Sequence, residues 1–242
     1  MSYIGYSTGA IALGDFSRAL NLLAHFGFQA LELSALRIGE VEPLVSAIPM
    51  LNLDRYSYVS FHAPSSFSGD EEKDLVALLE KLPKRWPIVL HPDAIHETEL
   101  WRNLSPRLAI ENMDRRKPTG RSPAELSEIF KFLPAAKLCL DLGHARQVDS
   151  SMVSAYQILR RFGDRIVQLH VSEVDTFNRH DLISRAAELA FGRVKKYVPA
   201  SAAFIIESRV SELQIQSEAD KVVRIFARET QAGVSPRQIV YA

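Results

Sequence analysis

The stretch KLCLDLGHAR, residues 137–146, runs apolar for several positions and then ends in Asp141 and, three residues later, His144. A short apolar run bounded by polar residues is the pattern of a strand buried on both faces. One such strand running into a turn would mean little, so its recurrence decides the reading. Seven other runs have the same form: SYIGYST, ALELSA, YVSFHAP, PIVLHPD, RLAIENMD, IVQLHVSEV and AFIIESRV. In six of the eight runs a metal-ligand or proton-transfer residue stands at or near the end: His62, His91, Glu111, Asp141, His170 and Glu207.

The segments between the runs have helical spacing. In GDFSRALNLLAHFG (14–27), Phe16, Ala19, Leu20, Leu23 and Phe26 share a face, and Gly27 is the expected stop. In SPAELSEIFKFLP (122–134), Ser122 and Glu125 predict a capping box, with Pro123 at the first helical position. SEADKVVRIFARET (217–230) supplies a last helix. Eight strands each followed by a helical segment predict a parallel sheet with helices outside. For 242 residues without a linker-like stretch, a single compact (β/α)8 TIM barrel spanning 1–242 as one domain fits. The competing doubly wound sheet lacks its phosphate fingerprint, because the glycines of GYSTGAIALG have the wrong spacing.

Side chains alternate across a strand. The residues just before the six polar ones are Phe61, Leu90, Ile110, Leu140, Leu169 and Ile206, all large and apolar and suited to face the helices. The polar residues then face the barrel axis. Two positions earlier, also inward, stand Ser60, Val89, Ala109, Cys139, Gln168 and Ile205, mostly small or medium. Each polar residue therefore sits one layer above the packed interior, at the C-terminal strand ends where barrel enzymes carry their active sites. Three carboxylates gathered there without compensation would be very costly to bury, and a divalent cation makes the cluster tolerable.

Bulk composition leaves room for such a core: 47% of residues are hydrophobic and 24% charged. Lys plus Arg equals Asp plus Glu at 29 each, so no overall field draws the protein to nucleic acid or a membrane surface. The single cysteine, Cys139, excludes an internal disulfide framework and cysteine-rich zinc modules. MSYIGYSTG has no signal-peptide pattern and no apolar run approaches membrane-spanning length, so a cytoplasmic location is expected.

In order and strand position, FHAP, LHPD, AIEN, LDLGH, LHVSEVD, RHD and IIES together resemble the xylose-isomerase-like barrel superfamily, which holds sugar isomerases and epimerases and the apurinic-endonuclease family. The resemblance spans essentially the whole chain. Its isomerase branch implies one divalent metal (zinc, manganese, magnesium or cobalt) on Glu111, Asp141, His170 and Glu207. Glu111 and Glu207 would flank the substrate carbon, one removing and the other returning a proton, with His144 contacting substrate oxygens. The endonuclease branch implies three zinc ions: His62, His91 and Glu111 on the first; Glu111, Asp141, His170 and Glu207 on the second; His144 and His180 on the third. Where that family reads D-R-H, this chain has Asn178-Arg179-His180, so the third site lacks its usual carboxylate, and Asp175 is the nearby substitute. Isomerisation or epimerisation of a sugar or sugar phosphate is the expectation, with hydrolysis of a phosphate ester as the alternative.

The presumed active face also carries Arg115, Arg116, Lys117, Arg121, Arg146, Arg179 and Arg209. Arginine forks match anionic oxygens, so Arg115, Arg116, Arg179 and Arg209 are candidates to hold an anionic sugar. No long insertion with interleaved aromatics is present to grip a nucleic-acid strand, which makes that partner the less favoured one. Cys139, His25 and His96 read as structural, Trp86 and Trp101 as packing anchors. Glu32 in ALELSA either faces the site or pairs with a lysine or arginine.

Overall fold

All eight apolar runs become strands, and the strands close into a ring. The structure, a computed structural model, describes residues 3–177 and 179–227; Asn178 and 228–242, including the end of the expected last helix, lie outside the described residues. The barrel strands are β1 (Ile4–Ser7), β2 (Ala30–Ser34), β3 (Tyr58–His62), β4 (Ile88–Leu90), β5 (Leu108–Glu111), β6 (Lys137–Asp141), β7 (Ile166–Val171) and β10 (Ala203–Ile206). Each pairs in parallel with its neighbours, and β10 returns to β1. Gly5 allows the closing approach, since a Cβ there would stand 1.7 Å from the Ala30 carbonyl oxygen.

The helices are α1 (Thr8–Ala12), α2 (Phe16–Leu23), α3 (Ile38–Ala47), α4 (Gly69–Leu79), α5 (Pro123–Phe132), α6 (Leu142–Val148), α7 (Val153–Phe162), α8 (Arg185–Gly192) and α9 (Ile215–Phe226). This is the expected TIM barrel, and the alternation along its strands holds. Phe61, Leu90, Ile110, Leu140, Leu169 and Ile206 are fully buried in the layer between strands and helices. Val89, Ala109 and Cys139 form a separate small cluster, the apolar part of the barrel interior. Ser60 and Gln168 are buried as well, and Tyr58 donates its hydroxyl to Gln168 Oε1 at 2.7 Å. α9 is fastened to the barrel by Tyr6, whose hydroxyl donates to the Ile215 carbonyl at 2.7 Å.

Local details depart from expectation. α2 stops at Leu23, with Ala24 right-handed, so Phe26 lies beyond the helix and Gly27 is no left-handed cap. At α5 only half of the capping box forms. Ser122 Oγ accepts from the Glu125 N–H, but the Glu125 carboxylate turns to the Arg121 backbone and guanidinium. After β4 there is no α-helix, only 3-10 turns at Pro92–Ala94, Thr98–Trp101 and Ser105–Arg107. Buried Glu72 draws the His96 and Glu97 N–H groups to itself there, and Pro92 and Pro106 have none to offer a helix. Beyond β7 the chain adds an unexpected antiparallel pair, β8 (Glu173–Val174) with β9 (His180–Asp181). Among the described residues no helix is long and apolar enough to cross a membrane.

Candidate metal centre

The strand ends bring His62, His91, Glu111, Asp141, His170 and Glu207 into one cluster, with Glu111 at its hub. Glu111 Oε2 lies 3.2 Å from His62 Nε2 and 3.0 Å from His91 Nε2. Its Oε1 lies 3.1 Å from His170 Nδ1 and 3.4 Å from His144 Nδ1. Glu207, one residue past β10, places Oε2 3.2 Å from the same His170 Nδ1. Two of the expected ligand sets therefore assemble: Glu111, Asp141, His170 and Glu207 offer donor atoms within 4.8 Å of one another, and so do His62, His91 and Glu111. A further set joins Glu32 to His62, His170 and Glu207.

Around the expected third pair, His144 and His180, no group of three ligands forms among the described residues. The His144 and His180 rings stand 5.6 Å apart, but Asp175 is bound to the Arg179 guanidinium at 2.8 Å and to the Phe177 and Arg179 N–H groups.

Local sequence explains how the DLGH corner is held. Asp141 closes β6 and caps α6, accepting the His144 N–H at 2.6 Å, which sets the two side chains together. Gly143 lets that turn nestle against β7, because a Cβ would come 2.7 Å from the Ser172 carbonyl oxygen. Asn112 then clamps the corner. Its Nδ2 donates to the Asp141 carbonyl, its Oδ1 accepts the Asp141 N–H, and its own carbonyl lies 3.0 Å from His144 Nδ1. Sequence reading passed over Asn112. The available signal was a polar amide at an outward position, where the neighbouring strands carry apolar residues.

Burial and mutual charge pull the protonation states apart. Burial would raise the Glu111 carboxyl, yet His170 and His91 hold it well below the usual carboxylate range. Burial pushes Asp141 up to about 7, where Glu111 and Glu207 outweigh part of the relief from His144. Against burial, His170 and His180 draw Glu207 down to about 2. Burial also opposes the charge on His62, but Glu111 raises it to about 9, whereas burial lowers His91 and His180. Such a spread within one concave cluster is typical of functional sites.

The donor set fits a divalent metal. Asp141 Oδ2 and His91 Nδ1 are buried with no hydrogen-bond partner. Glu207 Oε2 is also without a hydrogen bond, since His170 Nδ1 lies near it but off the bonding direction. Unsatisfied buried polar atoms are uncommon in folded proteins, and mixed carboxylate–imidazole sets suit zinc, manganese or cobalt.

A cavity of about 270 Å³ opens above the cluster. His62, His91, Glu111, His144, His180 and Glu207 line it, while Asp141 and His170 lie fully buried beneath. Its walls include Ser7, Gly9, Ser34, Leu13, Leu36 and Met113, and its basic residues are Arg116, Lys117 and Arg209. Arg115 and Arg179 are not part of the lining. Most of the basic rim is already paired: Lys117 with Asp93, Arg121 with Glu125, Arg146 with Glu173 and Arg179 with Asp175. Arg116 Nε stands 3.6 Å from Asp114 and is half exposed; Arg209 meets no carboxylate among the described residues. Cys139 is buried and free, and burial raises its thiol. His25 is exposed, and His96 lies against the Phe67 carbonyl, away from the cluster.

No family model and no curated protein matches the chain. Solved structures do. The 3-keto-D-glucoside 4-epimerase YcjR of E. coli is 12% identical with a TM-score of 0.57, covering 93% of this chain and 99% of its own. A putative sugar phosphate isomerase/epimerase of Anabaena variabilis is 12% identical with a TM-score of 0.59, covering 98% and 93%. SacUVDE is 17% identical with a TM-score of 0.51, covering 86% and 83%. The likeness is one of fold, the closed parallel (β/α)8 barrel.

Proposed function

We propose that this protein is a divalent-metal-dependent isomerase or epimerase of a sugar or sugar phosphate, with proton transfer between Glu111 and Glu207. One observation carries the reading: these two glutamates reach into a single cavity from strands separated by β6 and β7, and both approach His170 Nδ1, at 3.1 and 3.2 Å. A substrate carbon above that point has a carboxylate on either side. Both carboxylates are held ionised at neutral pH, so either can take the carbon-bound proton, while the proton returned to the opposite face must come from solvent by way of the second carboxylate. A metal on Glu111, Asp141, His170 and Glu207 would supply Lewis acidity to a substrate carbonyl and its neighbouring hydroxyl. His144 and His180, in the cavity wall, are placed to hydrogen-bond substrate oxygens, and Arg116 and Arg209 to meet an anionic group. Two of the fold relatives bear sugar epimerase or sugar phosphate isomerase/epimerase names, which agrees with this reading.

The His62–His91–Glu111 set favours a second reading, metal-dependent hydrolysis of a phosphate ester. The engagement of Asp175 with Arg179 counts against its three-metal form.

The deciding experiment incubates metal-loaded protein in D2O with a panel of ketoses, aldoses and their phosphates, following carbon-bound proton exchange by NMR. Exchange is expected in the wild type. In Glu207→Gln the fold should persist while metal affinity weakens and exchange falls at least about a hundredfold. A Glu207→Gln protein with wild-type affinity and exchange overturns the site. Phosphodiester cleavage without exchange, abolished together with one bound metal in a His62→Ala/His91→Ala variant, installs the hydrolase instead.

A further inference from the structure

Glu32 is a buried carboxylate inside the barrel that the proposed chemistry leaves unused. Alternation along β2 sends Leu31 and Leu33 to the helix layer and Glu32 into the barrel, where it is fully buried. Among the described residues no lysine or arginine pairs with it. Its Oε2 instead receives Ser60 Oγ at 3.0 Å and Gln168 Nε2 at 2.7 Å, and lies 3.2 Å from His170 Nε2. Its Oε1 is buried without a hydrogen bond. An acid so placed is expensive to bury, which asks for a function.

His170 supplies one, because its two ring nitrogens face different neighbours. Nδ1 points to Glu111 and Glu207, the side of the proposed metal, while Nε2 points to Glu32 and lies 2.9 Å from Gln168 Nε2. A nitrogen that binds metal must present its lone pair, so the ring proton must then sit on Nε2. Gln168 cannot accept that proton, since its Oε1 is occupied by the Tyr58 hydroxyl and only its N–H faces the ring. Without Glu32, the Gln168 N–H would donate to Nε2 and drive the ring proton onto Nδ1, toward the metal.

We propose that Glu32 is a positioning residue: as the hydrogen-bond acceptor of His170 Nε2–H, it holds the ring in the one tautomer that leaves Nδ1 free to ligate. The inference rests on the metal reading above. Carboxylate support of a ligating histidine raises its basicity and fixes its orientation, and losing it weakens metal affinity about 10–100-fold.

The test reads zinc binding and ring protonation, not turnover. Zinc affinity is measured by competition with a chromogenic chelator for the wild type, Glu32→Leu and Glu32→Gln. Leucine should weaken zinc about 10–100-fold, and glutamine, which keeps an acceptor oxygen, should recover most of the loss. In nitrogen-15 imidazole spectra of the zinc-loaded wild type, His170 should be protonated at Nε2 and metal-bound through Nδ1. This spectrum decides the matter even if Glu32→Leu does not fold. Wild-type affinity in Glu32→Leu, or zinc on His170 Nε2, overturns the inference and leaves the metal reading standing. A wild type that takes up no zinc, manganese, magnesium or cobalt overturns both.

Discussion

Glu72 and Asp141 are both carboxylates at 0% exposure, and the fold treats them in opposite ways. Glu72, on α4, receives the His96 N–H and the Trp101 indole on Oε1 and the Glu97 N–H on Oε2, so both oxygens are satisfied by donors fixed in the loop after β4. Asp141 receives one N–H, from His144, and its other oxygen has no donor. A donor-saturated acid is a tether. An acid left short of donors among other acids subtracts from stability, and under the proposed function a bound cation would offset that cost.

Substitution should expose that contrast most sharply. Glu72→Ala strands buried N–H groups whose loss costs about 1–3 kcal/mol each, so a total near 3 kcal/mol is expected. In a chain of this size that lowers Tm by about 6–12 °C. Asp141→Asn should leave the metal-free Tm unchanged or raise it, because repulsion from Glu111 and Glu207 is relieved, while zinc affinity collapses. Calorimetry of the metal-free proteins checks both. Equal losses in the two variants would erase the distinction between tether and site.

A second contrast lies within the basic rim. Arg121 is forked onto Glu125, whereas Arg209 lines the cavity and meets no carboxylate among the described residues. Arg209→Ser should weaken phosphorylated ligands about tenfold, the loss of one charge-assisted contact. Neutral sugars should be little changed, and Arg121→Ser should alter neither. Calorimetric titration of both ligand types separates the cases, and parallel losses in the two variants would return the rim to a diffuse field.

The smallest effect concerns Glu173, a partly exposed tether between α6 and α8. Burial tends to raise its carboxyl, but Ser184 and Arg146 hold it below the ordinary value. A depressed carboxyl stabilises the fold above its unfolded pKa of about 4.3 and loses that contribution as pH falls through the lower folded value. Glu173→Gln should therefore melt about 2–4 °C below wild type at pH 7, the shift expected for about 1 kcal/mol. The gap should close in acid, below about pH 4. A gap that persists at pH 3 would mean packing, not charge, makes this tether.

Reading the chain from KLCLDLGHAR outward was enough to obtain eight strands, their inward and outward faces, and the six strand-end residues that meet around Glu111. That information is local: a period of two along a strand assigns faces without knowledge of any partner. Where hydrogen-bond partners lie far apart in sequence, local pattern failed. Glu125 looked like half of a capping box until Arg121 competed for it, and Glu72 turned an expected helix into 3-10 turns by claiming two N–H groups from another segment. The arginines read as a shared basic rim, yet Arg146 and Arg179 each meet an acid that only the folded loops supply. Glu32 stayed open in the sequence between the site and a basic partner, because Gln168 and His170 reach it from across the barrel. Alternation is written in neighbouring residues, while the partner of a buried polar atom is chosen by barrel closure, which brings together side chains more than a hundred positions apart.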